Sequence, residues 1–307
     1  MINYIIRRLL ISIALAFALT AIIFFMLRTI VPGDPAEVMA GENAPPSVVK
    51  QIRQNMGLDK PLLVQFGIFI ENALHGDLGI SNQNREPVTK RLLEAMPVTL
   101  HLTLYCFIYT MLLGIIVGVM TAYWHDTWLD NLLRVLTVTG ASMPTFWLGL
   151  MLILVFAVYI GILPVFGSTD IRGMILPVLT LGTGSATYLA RLVRSSMLEV
   201  LNSDYIRMAR AKGVSETGVV LKHALRNTLI PILTVAGFQI GGLLGGAVIT
   251  ESIFGLPGMG TLSINSIQGR DYPVIQGTTL FIVLVYLFVN LLVDISYAYV
   301  DPRIRYN

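Results

Sequence analysis

The sequence has little charge. Asp, Glu, Lys and Arg make up 13% of its 307 residues, whereas hydrophobic residues make up 55%. A typical soluble domain has about 25% charged residues, so this composition excludes an ordinary soluble globular protein. The net charge is +3, but the basic residues lie at the ends of apolar runs. That placement indicates membrane topology rather than nucleic-acid binding.

Residues that would support catalysis are also scarce. The single cysteine, Cys106, lies in an apolar run, so neither an intrachain disulfide nor a thiolate metal cluster is expected. The four histidines are scattered and form no His-x-x-x-His pair. No lysine follows a glycine, so the phosphate loop GxxxxGK[ST] is absent, and neither GxSxG nor HExxH occurs. We expect no catalytic residue, no metal and no cofactor in this chain.

Six apolar segments are long enough to span a bilayer. Residues 9–27 carry no charge and form about 28 Å of helix, close to the roughly 30 Å of a hydrocarbon core. This length favours an uncleaved first span over a signal peptide. The other predicted spans are 97–123, 132–160, 174–192, 228–250 and 276–297.

Lys and Arg indicate the orientation of these spans. Outside the long segment 31–96, they favour one side, which predicts that both termini are cytoplasmic in a multi-pass inner-membrane protein. The chain then divides into the N-terminal end with the first span (1–30), an extracytoplasmic segment (31–96) and a five-helix core (97–307). Within 31–96 we expect helical pieces at 48–56, 61–74 and 84–95.

Small residues and one proline interrupt the spans. The GIIVG motif at 114–118 allows close helix approach. Pro144 lies in the middle of the third span and predicts a kink or break near the bilayer centre. Gly237, Gly241 and Gly245 have GxxxG spacing in the fifth span. They indicate helix packing, a substrate pathway beside the bare backbone, or both.

Two polar residues lie in the last span. Asn290 and Asp294 are one helical turn apart on one face. A carboxylate inside a membrane is a functional candidate, and proton coupling is one hypothesis. Because Asp294 lies within a turn of the predicted cytoplasmic end, an interfacial or interhelical hydrogen bond is the favoured alternative.

One polar stretch, residues 202–227, separates the fourth and fifth spans and is strongly basic. Its charged residues are Arg207, Arg210, Lys212, Lys222 and Arg226 against Asp204 and Glu216. Gly213 suits a left-handed helix end, and Ser215 can cap a second helix. The stretch therefore predicts a cytoplasmic helical hairpin, which either only connects two spans or docks a cytoplasmic partner.

The strings DYIRMARAKG and LKHALRNTLIP resemble the cytoplasmic EAA loop of permease subunits in binding-protein-dependent ABC importers. Arg207-Met208-Ala209 stands where that family has Glu-Ala-Ala, so only Ala209 and Gly213 match the general pattern. Arg226 lies near the usual place of the closing proline, and Pro231 comes later. The ARAKG string and the shifted proline are similar to the peptide and nickel branch. MINYIIRRLL, VPGDP, MGLDKPL, ESIFGLPGMG, RDYPVIQ and DPRIRY extend this resemblance over nearly the whole chain.

The resemblance implies an all-α integral membrane protein with about six transmembrane helices in the type I ABC importer fold and an external helical insertion after the first span. It implies a permease subunit for ATP-driven import of dipeptides or oligopeptides, with glutathione or a nickel chelate as alternatives. An ion-coupled secondary transporter is the alternative of another class.

The same resemblance implies partners and site residues. The partners are a second homologous permease in a heterodimer, two cytoplasmic ATPase subunits that bind ATP and Mg, an extracytoplasmic solute-binding protein and the lipid bilayer. Segment 31–96 is then either a passive connection or a subdomain that contacts the solute-binding protein. The residues implied in ATPase coupling are Asp204, Tyr205, Arg207, Ala209, Arg210, Lys212 and Gly213.

Overall fold

Helices make up nearly all the regular structure. The structure, a computed structural model, describes residues 2–29, 34–41 and 44–300, with the side chains at 2–5, 230 and 293–300 excepted. The helices are α1 (Ile2–Thr29), α2 (Pro35–Ala40), α3 (Pro46–Asn55), α4 (Leu62–Leu74), α5 (Val88–Tyr123), α6 (Trp128–Ser142), α7 (Thr145–Leu152), α8 (Ile171–Leu201), α9 (Asp204–Ala211), α10 (Glu216–Gly218), α11 (Leu225–Phe254), α12 (Met259–Gln268) and α13 (Tyr272–Val300). π-Helical segments continue α7 (Ile153–Tyr159) and precede α11 (Val219–Ala224). Residues 31–33, the tail 301–307 and the Asp294 side chain lie outside this description.

Five helices of the described chain are long and apolar enough to cross a membrane, and they correspond to five of the six predicted spans. They lie within α1, α5, α8, α11 and α13. A sixth span exists only if α6 and α7 are counted together. The all-helical membrane fold with five or six spans is therefore confirmed.

The predicted third span is not one continuous helix. α6 and the helical stretch from Thr145 to Tyr159 meet at an angle of 108°. Pro144 lies at this break, and Met143 before it is extended, with φ −78° and ψ 127°. A residue that precedes proline is driven out of the helical region, so the helix ends there. The predicted break at Pro144 is confirmed, and it divides the predicted third span, 132–160, into two helical parts.

The predicted helical piece 84–95 begins only at Val88, and from there it forms one helix with the second span. α5 runs for 36 residues with Pro97 inside it. Val88 and Leu92, on its first turns, are buried against Met259 and Val274. Because this packing holds the helix on the N-terminal side of Pro97, the loss of one backbone hydrogen bond does not end it.

The chain forms two compact units. Of the described residues, the first contains Leu100–Leu256 and 289–300. Its buried cluster draws on α5, α8, α9, α11 and the π-helical segment before α11, with Leu189, Val193, Met197 and Ile206 among its members. The short helix α9 therefore belongs to the same core as the long helices.

The second unit contains Ile2–Thr99 and Pro257–Phe288. Its buried carboxylate, Asp271, joins the loop before α5 to the start of α13. It accepts hydrogen bonds from the Ser81 hydroxyl and, at 3.0 Å, from the Asn82 backbone N–H. Arg91 Nη1 lies 3.4 Å from the same carboxylate. Each oxygen of this buried charge thus has a partner, as burial of a carboxylate requires.

Candidate functional site

The hairpin between α8 and α11 begins with α9. Ser203 holds the N-cap position, but its hydroxyl donates to the Val200 carbonyl at 2.6 Å and does not cap α9. At the other end Gly213 has φ +78°. The Gly213 N–H donates to the backbone carbonyl of Arg210 at 2.9 Å, and the Val214 N–H donates to the backbone carbonyl of Ala209 at 3.2 Å. These two bonds form a Schellman motif, which needs a left-handed residue at the position of Gly213.

A second helical turn follows directly. The Ser215 hydroxyl accepts a hydrogen bond from the Gly218 N–H at 3.3 Å, so Ser215 caps α10 as predicted. The chain then continues through the π-helical segment, in which Val219, Val220 and Ala224 are buried. The sequence signals for a helix, a glycine turn and a second helix thus correspond to the observed hairpin.

One side chain anchors α9 to the protein. Ile206 is 0% exposed and lies in the buried cluster of the first unit. Full burial of an isoleucine contributes about 1.5–3 kcal/mol. Tyr205 and Met208, by contrast, are 44% and 60% exposed. α9 therefore has one buried contact face and an open face that carries an aromatic ring and a thioether.

Two polar contacts brace the hairpin. Arg210 binds Glu216 through two nitrogens, with Nε 2.7 Å from Oε1 and Nη2 3.3 Å from Oε2. The Asn227 side-chain amide donates to the Tyr205 hydroxyl at 2.7 Å. The first contact joins α9 to α10 and the second joins α9 to the start of α11. Exposed contacts of this kind each contribute at most about 1 kcal/mol to stability. They therefore fix the orientation of the hairpin and contribute little to its stability.

Five of the seven predicted coupling residues lie on α9, and Lys212 and Gly213 directly follow its last residue. Arg207 Nη1 is 3.4 Å from the exposed Asp204 carboxylate. Lys212 is exposed and has no ion-pair partner within the described ranges. Ala209 is half-buried. The site offers cationic and apolar groups at a surface, and no cluster of metal-ligating side chains occurs among the residues described.

A buried ion pair that was not predicted from the sequence lies towards the end of α8 that leads into α9. Asp130, on the first turn of α6, is fully buried. Arg194 of α8 binds it in a fork, with Nη2 2.8 Å from Oδ2 and Nε 3.2 Å from Oδ1. The Asp126 N–H donates to the same carboxylate at 3.1 Å. Because the partners are 64 residues apart, no local pattern could have paired them.

Comparison with known families identifies the chain. Residues 114–306 match the family described as "Binding-protein-dependent transport system inner membrane component". Residues 1–103 match "Binding-prot-dependent transport system membrane comp, N-term". The chain is a permease subunit of a binding-protein-dependent ABC importer.

Relatives of this permease align over its full length. Proteins named "Glutathione transport system permease protein GsiC" from Escherichia coli K12, Escherichia coli O6:H1 and Salmonella paratyphi A are each 44% identical over 306 residues, which covers 100% of both chains. These matches place the permease in the dipeptide, oligopeptide, nickel and glutathione branch that its motifs indicated.

Solved structures support the fold. A chain of the inward-facing MetNI methionine ABC transporter aligns with a TM-score of 0.60 at 19% identity and covers 68% of the permease and 96% of its own length. A chain of an amino acid ABC transporter solved with histidines aligns with a TM-score of 0.53 at 17% identity, covering 70% and 94%. The type I importer fold predicted for the permease is confirmed.

The glycines predicted for the pathway differ in their surroundings. Gly237 is buried, Gly241 is partly buried and Gly245 is exposed in α11. A Cβ atom on Gly245 would meet nothing within 4 Å, whereas one on Gly246 would lie 2.7 Å from Leu181 of α8. A close α11–α8 contact is thus made at Gly246, which has GxxxG spacing with Gly242, rather than at Gly245.

Proposed function

We propose that this permease subunit forms half of a pathway that imports short peptides and that α9 couples it to cytoplasmic ATPase subunits. The observation that carries the proposal is the form of α9, which is anchored through Ile206 and open elsewhere. The substrate class rests on the 44% identical relatives named for glutathione, which is itself a tripeptide. Glutathione is therefore the first substrate to test within the peptide class.

The open face of α9 suits a protein partner. Tyr205, Met208 and Lys212 follow each other at spacings of three and four residues and share one side of the helix. Tyr and Met are enriched in the centres of protein interfaces, where a few anchors dominate binding. The basic residues Arg207 and Lys212 would meet an acidic rim of the ATPase subunit. Gly213 would set where the helix ends relative to that partner.

The proposed assembly follows the family. A second, homologous permease completes the pathway, two ATPase subunits bind ATP and Mg, and an extracytoplasmic solute-binding protein delivers the peptide. Both chain termini and α9 lie on the cytoplasmic side, and segment 31–96 lies outside. Gly241 and Gly245 of α11, together with the break at Pro144, are proposed to border the pathway.

The assembly is tested by purifying the tagged chain from native membranes and identifying what accompanies it by mass spectrometry. Two ATPase subunits and a second permease are expected. The purified transporter, reconstituted with its binding protein, should take up labelled glutathione or dipeptides only with ATP inside the liposomes. A nickel chelate serves as the competing substrate. If the chain alone moves solute without ATP, the importer proposal fails in favour of ion coupling, and Asp294→Asn then becomes the next variant.

The coupling role is tested by two variants on α9. Ala209→Glu places a charge at a half-buried position, and Gly213→Trp puts a large residue at a left-handed backbone position. Both variants should insert normally and co-purify with their partners, yet lose ATP-driven uptake while ATP hydrolysis continues. Normal uptake in both variants would contradict the docking role.

A further inference from the structure

A basic cavity lies between α5, α6 and α8, near the end of α8 that leads into α9. Its volume is about 320 Å³, within the range of small-ligand pockets. Three arginines line it: Arg134 from α6, and Arg191 and Arg194 from α8. The cavity belongs entirely to the first unit, and no residue of α9 lines it.

Positive charge in this cavity exceeds negative charge. The Asp130 carboxylate binds Arg194 at 2.8 Å and lies 3.8 Å from Arg134 Nε. Arg191 is exposed and makes no hydrogen bond or ion pair within the described part of the chain. The one carboxylate therefore lies beside two of the three guanidinium groups, and the free donors of Arg191 suit the oxygens of an anion.

The rest of the cavity wall combines apolar side chains with the hydroxyl groups of Thr121, Thr137 and Ser195. Val117 of α5, Val138 of α6 and Leu198 of α8 line it beside the arginines. The hydroxyl groups suit the oxygens of an anion, whereas the apolar side chains would stabilise an acyl chain. A ligand that combines a phosphate with an apolar tail therefore matches both parts of the cavity.

Aromatic side chains indicate where this end of the helices lies in the membrane. Tyr123, Trp124 and Trp128 are exposed in the turn between α5 and α6, within two residues of Asp130 at the nearest. Trp and Tyr are enriched at the level of lipid headgroups. The basic cavity thus lies where headgroup phosphates are found.

We propose that this cavity binds the phosphate of an anionic phospholipid, with Arg191 and Arg134 on the headgroup and the apolar side chains along an acyl chain. Basic pockets between transmembrane helices bind such headgroups. In the proposed orientation the lipid belongs to the cytoplasmic leaflet, but binding itself does not depend on that orientation. A free phosphate ion is the alternative source of the same chemistry.

The test uses the full-length chain in its purified transporter, delipidated and titrated with phosphatidylglycerol or phosphatidylcholine while binding is followed by native mass spectrometry. Arg191→Gln removes the unpaired cation and breaks no ion pair. Arg172→Gln, at the opposite end of α8, is the matched control for charge. Because both side chains are exposed, the two variants should fold alike, which their unfolding temperatures check.

Phosphatidylglycerol should bind Arg191→Gln about fivefold more weakly than the parent. The reason is that one basic side chain near an anionic headgroup changes the dissociation constant by about that factor. Arg172→Gln should bind it like the parent, and neither change should alter phosphatidylcholine binding. Equal phosphatidylglycerol binding by the parent and Arg191→Gln would overturn the site. Displacement of the lipid by equimolar inorganic phosphate would overturn the lipid assignment.

Discussion

Ile206→Ala is the sharpest test of how α9 is held against the rest of its unit. Ile206 is fully buried in the core of the first unit, and it is the only side chain of α9 that is buried. Truncation of a buried isoleucine to alanine costs about 2–5 kcal/mol. Because α9 has few other packed groups, we expect the substitution to favour local opening, in which the hairpin separates from the core of the first unit, over global unfolding. This open state is called undocked. A loss of 2 kcal/mol raises the undocked population about thirtyfold.

Amide hydrogen exchange measures this population directly. Exchange across α9 and Gly213 should accelerate by about thirtyfold or more in Ile206→Ala, whereas amides in the middle of α8 should keep their rates. Met208→Ala is the matched control, since Met208 is 60% exposed on the same helix and its truncation should leave exchange unchanged. Unchanged α9 exchange in Ile206→Ala, or equal acceleration in both variants, would refute the idea that one buried residue anchors the helix.

Three further predictions concern the unfolding temperature of the purified transporter. Gly118→Ala should lower it, with a loss of about 1–3 kcal/mol in the free energy of unfolding, because the new Cβ would lie 2.5 Å from an α8 side chain. Gly184→Ala is the control, since its Cβ would meet nothing within 4 Å and the temperature should not change. Equal temperatures for the two variants would contradict the close contact at Gly118. Asp130→Asn should lower the free energy of unfolding by about 3–5 kcal/mol, because it leaves the partly buried guanidinium of Arg194 without its carboxylate. Asp126→Asn, at an exposed site, is the control and should have little effect. Gly213→Ala should lower the free energy of unfolding by about 1 kcal/mol, because alanine is strained at φ +78°. Gly213→Asn should lower it less, because asparagine adopts this left-handed conformation more readily. The reverse order would argue against a left-handed helix end.

The hairpin could be predicted because its signals are local. The glycine that ends α9 and the serine that caps α10 act on backbone groups within five residues of themselves. Such contacts depend on residue type and spacing alone, which a sequence displays. The coupling role of the seven residues stays a prediction, although all seven lie in α9 or in the two residues that follow it.

The prolines show where local reasoning ends. Pro144 ends a helix, whereas Pro97, Pro177 and Pro231 lie inside α5, α8 and α11. Each removes the same hydrogen-bond donor, so the local cost is similar, about 3 kcal/mol. Contacts on both sides of the proline decide whether the helix continues. Those contacts come from distant segments, and composition does not reveal them.

The ion pair between Asp130 and Arg194 has a consequence for coupling, because α8 is the helix that leads into α9. Only Asn202 and Ser203 separate the two helices. The fork of Arg194 joins the end of α8 to α6, and Gly118 brings α5 against it. If an ATPase displaces α9, as proposed, α8 should move together with α5 and α6, since buried ion pairs and close-packed contacts resist small, continuous shifts. We expect the ends of these three helices to move as one body.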